Sequence, residues 1–115
     1  MENDRLKKVA SVIQREIARL ITEKEIKDPR VHSMLSVNRV VVSKDIAYAK
    51  VYVSAFEKED RLEKAVEALN HAAGFIQKHL GKKLKTRNTP KLTFIADTSV
   101  KEGFRINKLI EDSLS

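Results

Sequence analysis

The 115-residue chain has no cysteine and no tryptophan, and its only aromatic residues besides histidine are four phenylalanines and two tyrosines. Without cysteine, a disulfide framework, a thiolate metal site and a cysteine nucleophile are all excluded. Because rings are few, the core has to be built mainly from aliphatic side chains. Apolar residues make up 42% of the chain, which is typical of a globular protein rather than a disordered one.

Long apolar runs are lacking as well. No segment approaches the roughly 18–20 consecutive apolar residues of a membrane span, and the charged first 30 residues do not resemble a secretory signal. Internal repeats, low-complexity tracts and Gly/Ser linkers do not occur. We therefore expect a single cytoplasmic domain over residues 1–115, a length that can bury a core without a disulfide or a metal.

Signatures of catalysis are also missing. No phosphate-binding loop, dinucleotide fingerprint or nucleophile elbow occurs. Asp45 and Asp97 are isolated, and the acidic residues at positions 57–67 are mixed with basic ones, as on a solvated helix face. His71 and His79 lie eight residues apart, about two helical turns, which is too far for one metal ion. The sequence predicts no enzyme, no cofactor and no metal site.

Two long segments have the apolar spacing of amphipathic helices. The first covers residues 4–25, with Asp4 as its cap, and Asp28-Pro29 ends it because proline disfavours helix in the preceding residue. The second covers residues 59–85 and contains Ala72-Ala73-Gly74, where an interior glycine costs about 1 kcal/mol relative to alanine. We expect a kink there that divides this segment into two helices.

Three strands are predicted between and after these helices. Residues 34–42 are rich in β-branched side chains, although Val40 and Val41 leave the facing of this strand ambiguous. Residues 46–55 and 91–97 alternate between two faces. In the former, the inward set is Ala47, Ala49, Val51, Val53 and Ala55, and the outward set is Ile46, Tyr48, Lys50, Tyr52 and Ser54.

The predicted order is helix, two strands joined at Ser43-Lys44-Asp45, helix, kink, helix and strand. A final helix follows from the capping-box spacing at Ser99 to about Leu114. Two adjacent strands and a helical crossover to a third imply an α+β fold, with a three-stranded sheet covered by helices on one face.

Positive charge is concentrated in one part of the chain. The formal net charge is +7, yet residues 71–96 contain six basic residues and no acid. Such a tract suits phosphate contacts of nucleic acid, which give sequence-independent, salt-sensitive affinity. The alternative is that these cations only solubilise the end of a helix. The tract comprises Lys78, Lys82, Lys83, Lys85, Arg87 and Lys91.

Stacking residues are scarce by comparison. Tyr48 and Tyr52 share a predicted strand face, which either stacks bases or simply covers a sheet. With so few rings, the chain suits recognition of folded RNA through its backbone and shape more than the reading of splayed bases.

Several motifs in order along the chain are similar to those of the bacterial ribosome-binding factor A family. They cover nearly the whole sequence: Glu25-Ile26-Lys27-Asp28-Pro29-Arg30, Ser43–Val53, Ala72-Ala73-Gly74-Phe75-Ile76, Leu80-Gly81-Lys82-Lys83-Leu84, Pro90-Lys91-Leu92-Thr93-Phe94 and Glu102-Gly103-Phe104-Arg105-Ile106.

This resemblance implies a type II KH-like fold with the order α-β-β-α-α-β, in agreement with the order above. It implies binding to the immature small (30S) ribosomal subunit and its 16S rRNA, late maturation with 5′-end processing of that rRNA, and adaptation to cold. It further implies release before translation, either with help from a ribosome-assembly GTPase or on later maturation of the subunit. We expect the protein to be a monomer. A basic protein–protein adaptor that binds an acidic partner is the alternative.

One motif departs from ordinary KH domains, which clamp nucleotides with a Gly-x-x-Gly loop. The family resembled has Ala-x-Gly at this point, as in Ala72-Ala73-Gly74, so a tighter kink replaces the flexible loop. We expect phosphate contacts from the basic tract of residues 78–91. Secondary candidates for RNA contacts are Arg5, Lys8, Arg15 and Arg30.

Overall fold

The fold has three helices and a three-stranded sheet, seen in a computed structural model that describes residues 2–56, 58–84 and 89–98. The predicted α-β-β-α-α-β order and the α+β class are confirmed. The final helix predicted from Ser99 to about Leu114 lies outside the described residues. In chain order the elements are α1 (Glu2–Thr22), β1 (Ser36–Val42), β2 (Tyr48–Ser54), α2 (Glu59–His71), α3 (Ala73–Lys83) and β3 (Lys91–Ala96).

The sheet has the strand order β1-β2-β3. β2 lies in the centre, antiparallel to β1 and parallel to β3, because α2 and α3 form the crossover that a parallel connection requires. Ala49, Val51 and Val53 on β2 face the helices and are buried, as the alternation predicted.

A register shift in β1 resolves the ambiguous facing of its valines. The pairing passes from Val37–Val53 to Arg39–Tyr52, so one extra residue, Asn38, enters the strand as a bulge. The bulge reverses the side-chain parity, and Val37 and Val40 therefore both pack against the core, while Val41 is exposed. A strict alternation of inward and outward side chains could not predict this arrangement, because the bulge interrupts the alternation.

The first helix begins and ends earlier than the sequence suggested. α1 begins at Glu2, so Asp4 lies within its first turn rather than capping it. It ends at Thr22, well before Asp28-Pro29, because Lys24 adopts a left-handed conformation with φ of 57°. The Lys24 N–H donates to the Ile21 carbonyl at 3.1 Å and the Glu25 N–H to the Leu20 carbonyl at 2.9 Å. These two hydrogen bonds form a Schellman motif, which closes the last turn.

The hairpin between β1 and β2 also differs from its prediction. β2 begins at Tyr48, and Ile46 stands in the loop with φ of 58° instead of extending the strand outward. The expectation that Ile46 faces outward was wrong, since its side chain is buried against the core. The Ser43 hydroxyl accepts hydrogen bonds from the N–H groups of Ala47 and Tyr48, and these contacts hold the loop.

The core lies between the helices and the inner face of the sheet. It is aliphatic, as the composition required, with Phe94 as its buried ring. Burying each such side chain contributes about 1.5–3 kcal/mol. Its fully buried members include Ile13, Ile17 and Leu20 of α1, Leu62 and Leu69 of α2, and Ile76 and Leu80 of α3. Of the helices within the described ranges, none is long and apolar enough to cross a membrane.

Amide side chains of the helices bond to the backbone of both outer strands. Asn70 of α2 accepts a hydrogen bond from the Phe94 N–H at 2.8 Å and donates to the Phe94 carbonyl at 3.1 Å. Gln77 of α3 accepts from the Leu92 N–H at 3.1 Å. On the other side, Gln14 of α1 donates to the Val37 carbonyl at 3.0 Å. The helix layer is therefore joined to the sheet by polar contacts at its margins as well as by the core.

Candidate RNA-binding surface

The exposed side of α3 carries a compact set of basic and aromatic residues. Ile76 and Leu80 are buried, and Lys78 and Lys82 follow each of them by two residues, which places both lysines on the outer side of the helix. Phe75 and His79 complete the spacing i, i+3, i+4, i+7 on that side. We call Phe75, Lys78, His79 and Lys82 the α3 stripe.

The two rings of the α3 stripe contact each other. Phe75 and His79 meet edge to face, with ring centroids 4.6 Å apart and an interplanar angle of 61°. Phe75 remains 43% exposed, so part of its ring is accessible to a ligand. Sequence reasoning did not include Phe75 and His79 in the site, although their helical spacing from Lys78 and Lys82 was a usable signal.

Glu16 introduces an acid beside the basic end of α3. It is buried on α1, where the Arg19 guanidinium donates to both of its carboxylate oxygens. This hydrogen bonding holds the pKa of the Glu16 carboxyl below its usual value against the opposing effect of burial, and the charges of Lys83 and His79 lower it further. The tract that is free of acid in sequence is thus not free of acid in space, and Lys83 is the lysine whose charge Glu16 partly offsets.

The break between α2 and α3 confirms the kink predicted within Ala72-Ala73-Gly74 and places it at Ala72. Ala72 leaves the helical conformation, with φ of −88° and ψ of 4°. Gly74 lies inside α3 without positive φ, and a Cβ added to it would meet nothing within 4 Å. The backbone therefore does not need glycine at position 74, and the open space over it leaves the first turn of α3 accessible.

A cleft of about 300 Å³ opens next to this break. One wall is the segment after α1, including Lys27 and Asp28, and the other is formed by His71, Ala72 and Phe75. Phe75 thus joins the α3 stripe to the cleft. On the helix side of the protein, the cations and rings of the α3 stripe thus adjoin a cleft whose lining also includes the acids Glu25 and Asp28.

Lys91 lies on the opposite side of the molecule from the α3 stripe. It begins β3 and alternates with the buried residues Leu92 and Phe94, so its side chain points away from the helices. The structure therefore divides the basic tract between two faces. The alternation within 91–97 already contained this information. Lys85 and Arg87 lie outside the described residues.

The secondary candidates fall into two groups. Arg5, Lys8 and Arg15 are exposed on α1. Arg30 is tied to Asp28 by bonds from its Nε at 3.1 Å and its Nη2 at 2.9 Å, which lower the pKa of the Asp28 carboxyl. Arg30 also lines a cavity of about 250 Å³ with Pro29, His32, Arg61 and Lys64.

No metal site emerges within residues 2–56, 58–84 and 89–98. In that part of the chain, no three histidine, aspartate or glutamate side chains come together in a group that could hold a metal ion. Asp45, one of the two isolated acids, is engaged in the hairpin, where its carboxylate accepts from the Ser43 hydroxyl at 2.7 Å.

Comparisons of the chain with family models and with known proteins agree on one family. The family model described as ribosome-binding factor A matches residues 5–110. The chain belongs to the ribosome-binding factor A family. The ribosome-binding factor A of Treponema denticola is 52% identical over 110 residues, which are 95% of this chain and 83% of the relative. That of Borrelia garinii subsp. bavariensis is 47% identical over 104 residues, 90% of this chain and 87% of the relative.

Solved structures of ribosome-binding factor A have the same fold. The crystal structure from Thermus thermophilus superposes with a TM-score of 0.67 at 31% identity, covering 79% of this chain and 94% of that one. A homology model of the T. thermophilus protein, fitted into a cryo-electron-microscopy map of a 30S–ribosome-binding factor A complex, gives a TM-score of 0.55 at 30% identity. It covers 76% of this chain and 93% of that one.

Proposed function

We propose that this protein is a ribosome assembly factor, not an enzyme, which binds the immature small ribosomal subunit through its 16S rRNA. Membership of the ribosome-binding factor A family is the observation that carries this proposal. The T. thermophilus relative placed in a 30S complex supports the choice of partner, since it shares the fold at 30% identity. In this function the protein assists late maturation of the subunit and 5′-end processing of 16S rRNA, including at low temperature.

The α3 stripe is the part of the helix side best suited to RNA. Lys78 and Lys82 lie one turn apart on an exposed helix face and can each approach a phosphate. Phe75 offers an exposed ring beside them. We propose that Lys83, Lys85, Arg87 and Lys91 add further phosphate contacts, with Lys83 weaker because Glu16 lies near it. The secondary contacts proposed are Arg5, Lys8, Arg15 and Arg30.

The experiment that tests this function is cosedimentation with immature small subunits over a range of salt concentrations. Lys78→Gln combined with Lys82→Gln removes two charges without reversing charge at the helix C-terminus. We expect weaker binding, and the slope of log affinity against log salt should fall by about 0.7–0.9 for each lysine that contacts a phosphate.

The matched control is Lys58→Gln, which removes an exposed cation at the start of α2, far from the α3 stripe in sequence. Unchanged binding by the double variant would overturn the assignment of the stripe. Binding that survives complete RNase digestion would instead favour the alternative, an adaptor whose basic face meets an acidic protein.

We also propose that the protein acts in the cytoplasm as a monomer, as one KH-like RNA-binding domain over residues 1–115, and that a ribosome-assembly GTPase assists its release. The helix amides that bond to both outer strands support the monomer, because a dimer through sheet extension would have to displace them.

A further inference from the structure

The face of the sheet that points away from the helices has its own chemistry. We call it the outer sheet face and define it by Arg39 on β1, by Tyr48, Lys50 and Tyr52 on β2, and by Lys91 on β3. Among the described strand residues that point to this side there is no acid. Three cations and two rings thus share one surface that the described helices leave uncovered.

Tyr48 is the most accessible ring on this face, with 62% of its surface exposed. In the strand register Tyr48 is paired with Lys91 of β3, and the two backbones lie about 4.8 Å apart across the sheet. Lys50 follows two residues later on the same strand, about 6.8 Å away. The exposed ring is therefore flanked by one cation across the sheet and another along it.

Tyr52 shows how rings on this face take a planar cation. The Arg39 guanidinium carbon lies 4.2 Å from the centroid of the Tyr52 ring, within the range of a cation–π contact. Tyr52 is half-buried beneath Arg39, whereas Tyr48 has no comparable cover from the described residues. The Tyr52 ring is therefore already covered by Arg39, whereas the Tyr48 ring is accessible for stacking.

The acids closest to the outer sheet face are engaged elsewhere. Asp45, in the hairpin before Tyr48, accepts hydrogen bonds from the Ser43 hydroxyl and from the Ala47 N–H at 3.2 Å. Asp97 follows the far end of β3 and accepts from the Asn38 amide at 3.1 Å. These hydrogen bonds leave both carboxylates charged but hold Asp45 in the hairpin, and the outward-facing charged side chains at the Tyr48 end of the strands are the cations Lys50 and Lys91.

We propose that the outer sheet face is a second RNA-binding site, which stacks an unpaired base on Tyr48 and binds the flanking phosphates through Lys50 and Lys91. Aromatic rings on a sheet surface stack splayed bases, and nearby lysines neutralise the backbone. A duplex does not fit this chemistry, because its bases are already stacked. The inference rests on RNA being the ligand of the proposed function, but it concerns a different face from the α3 stripe.

The test uses the absence of tryptophan from the chain. Tyr48→Trp places a single tryptophan, which can be excited selectively, at the stacking position of the full-length protein, and an unstructured oligouridylate is then titrated against it. We expect stacking to quench its emission, while a blunt RNA duplex of equal length has little effect. Phe56→Trp is the matched control, since Phe56 is 91% exposed just beyond the other end of β2.

Binding to the same oligonucleotide then assigns the contacts. Tyr48→Ala should weaken it by about 5- to 140-fold, the range for loss of one stacked base. Lys50→Gln and Lys91→Gln should each lower the salt slope by about 0.7, as expected for one phosphate contact on a single strand. When Lys78→Gln and Lys82→Gln are combined with Tyr48→Trp, the quenching by the oligonucleotide should persist.

Three results would overturn the inference. The first is the absence of quenching, or equal quenching in the Phe56→Trp control. The second is loss of quenching once the two α3 lysines are replaced, which would place the oligonucleotide on the helix side. The third is emission that is already blue-shifted and protected from acrylamide without RNA, which would show that another segment or a second copy covers Tyr48. In each case, unaltered cosedimentation of the Tyr48→Trp protein, with Lys78 and Lys82 intact, would leave the proposed function standing.

Discussion

At the scale of single residues, Lys24 and Ile46 share a left-handed backbone, with φ of 57° and 58°, in opposite surroundings. This conformation costs an L-residue roughly 1–2 kcal/mol. Ile46 offsets the cost because its side chain is buried, and burial of an isoleucine contributes about 1.5–3 kcal/mol. Lys24 is exposed at the end of α1 and has no such compensation.

Lys24→Gly should therefore stabilise the protein by about 0.5–1 kcal/mol, since glycine adopts positive φ freely but loses more chain entropy on folding. Ile46→Gly is the matched control at nearly the same φ. It should destabilise, because the loss of buried surface exceeds the relief of strain. The free energy of unfolding from chemical denaturation measures both variants, and destabilisation by Lys24→Gly would contradict the account.

Neither left-handed position could be predicted from the sequence. Glycine and asparagine usually mark such positions, and neither stands at residue 24 or 46. The alternation of side chains therefore predicts a strand that includes Ile46, and the helical spacing of apolar residues predicts a helix that continues past Lys24. From Tyr48 to Val53 the same alternation was correct, because there the sheet pairing and the core fix each face.

At the scale of elements, the break between α2 and α3 is held from both sides. Asn70 precedes Ala72 and bonds to both backbone groups of Phe94, while Gln77 follows it and bonds to the Leu92 N–H. Both partners lie on β3. The position of the first turn of α3 relative to the sheet is therefore fixed before any ligand arrives, which lowers the entropic cost of binding.

Removal of the Asn70 amide should test this attachment. Asn70→Ala leaves the Phe94 N–H and carbonyl without their partner, and an unsatisfied backbone group of this kind costs about 1–3 kcal/mol. We expect lower stability and faster amide exchange at Phe94. Glu63→Ala, an exposed change on the same helix, should stay within about 0.5 kcal/mol. Equal stability of the two variants would argue against the attachment.

The segment Ala72-Ala73-Gly74 correctly predicted where the long helical segment is interrupted, but it did not show that Ala72, rather than Gly74, is the residue that leaves the helix. Ala72 lies between two amide attachments to β3, that of Asn70 to Phe94 and that of Gln77 to Leu92, which join residues 24 and 15 positions apart in sequence. Contacts of this range leave no local pattern. The bulge at Asn38 escaped prediction for the same reason, since it depends on the register with β2.

At the scale of the whole molecule, basic residues that are close in the sequence lie on different faces of the fold. The α3 stripe lies on the helix side, and Lys91 joins Arg39 and Lys50 on the outer sheet face. Glu16, far from the basic tract in sequence, lies close enough to Lys83 to have its pKa lowered. Counting charges along the sequence identified the tract but could not show its division.

The stability of the protein should fall in acid because three carboxyls in separate parts of the fold have lowered pKa values. Arg19 lowers that of Glu16, Arg30 that of Asp28, and the Ser43 hydroxyl that of Asp45. A carboxyl with a lowered pKa stabilises the folded state above its usual value, near 4.5 for Glu16, and loses that contribution as the pH falls through the folded-state pKa.

Glu16→Gln should flatten this dependence below pH 4.5, since one of the three groups no longer titrates. Urea denaturation of the parent protein and the variant at a series of acidic pH values gives the two curves. If the variant loses stability in acid as steeply as the parent, Glu16 does not contribute in the way described.

The amides along the outer strands also bear on how the protein behaves at high concentration. An outer strand with free backbone groups is a template on which other chains add strands, and this is a common route to aggregation. Here Gln14 occupies a carbonyl of β1, and Asn70 and Gln77 occupy backbone groups of β3. An invading strand would have to break these hydrogen bonds first, so the contacts that attach the helices to the sheet also protect it against fibril-like growth.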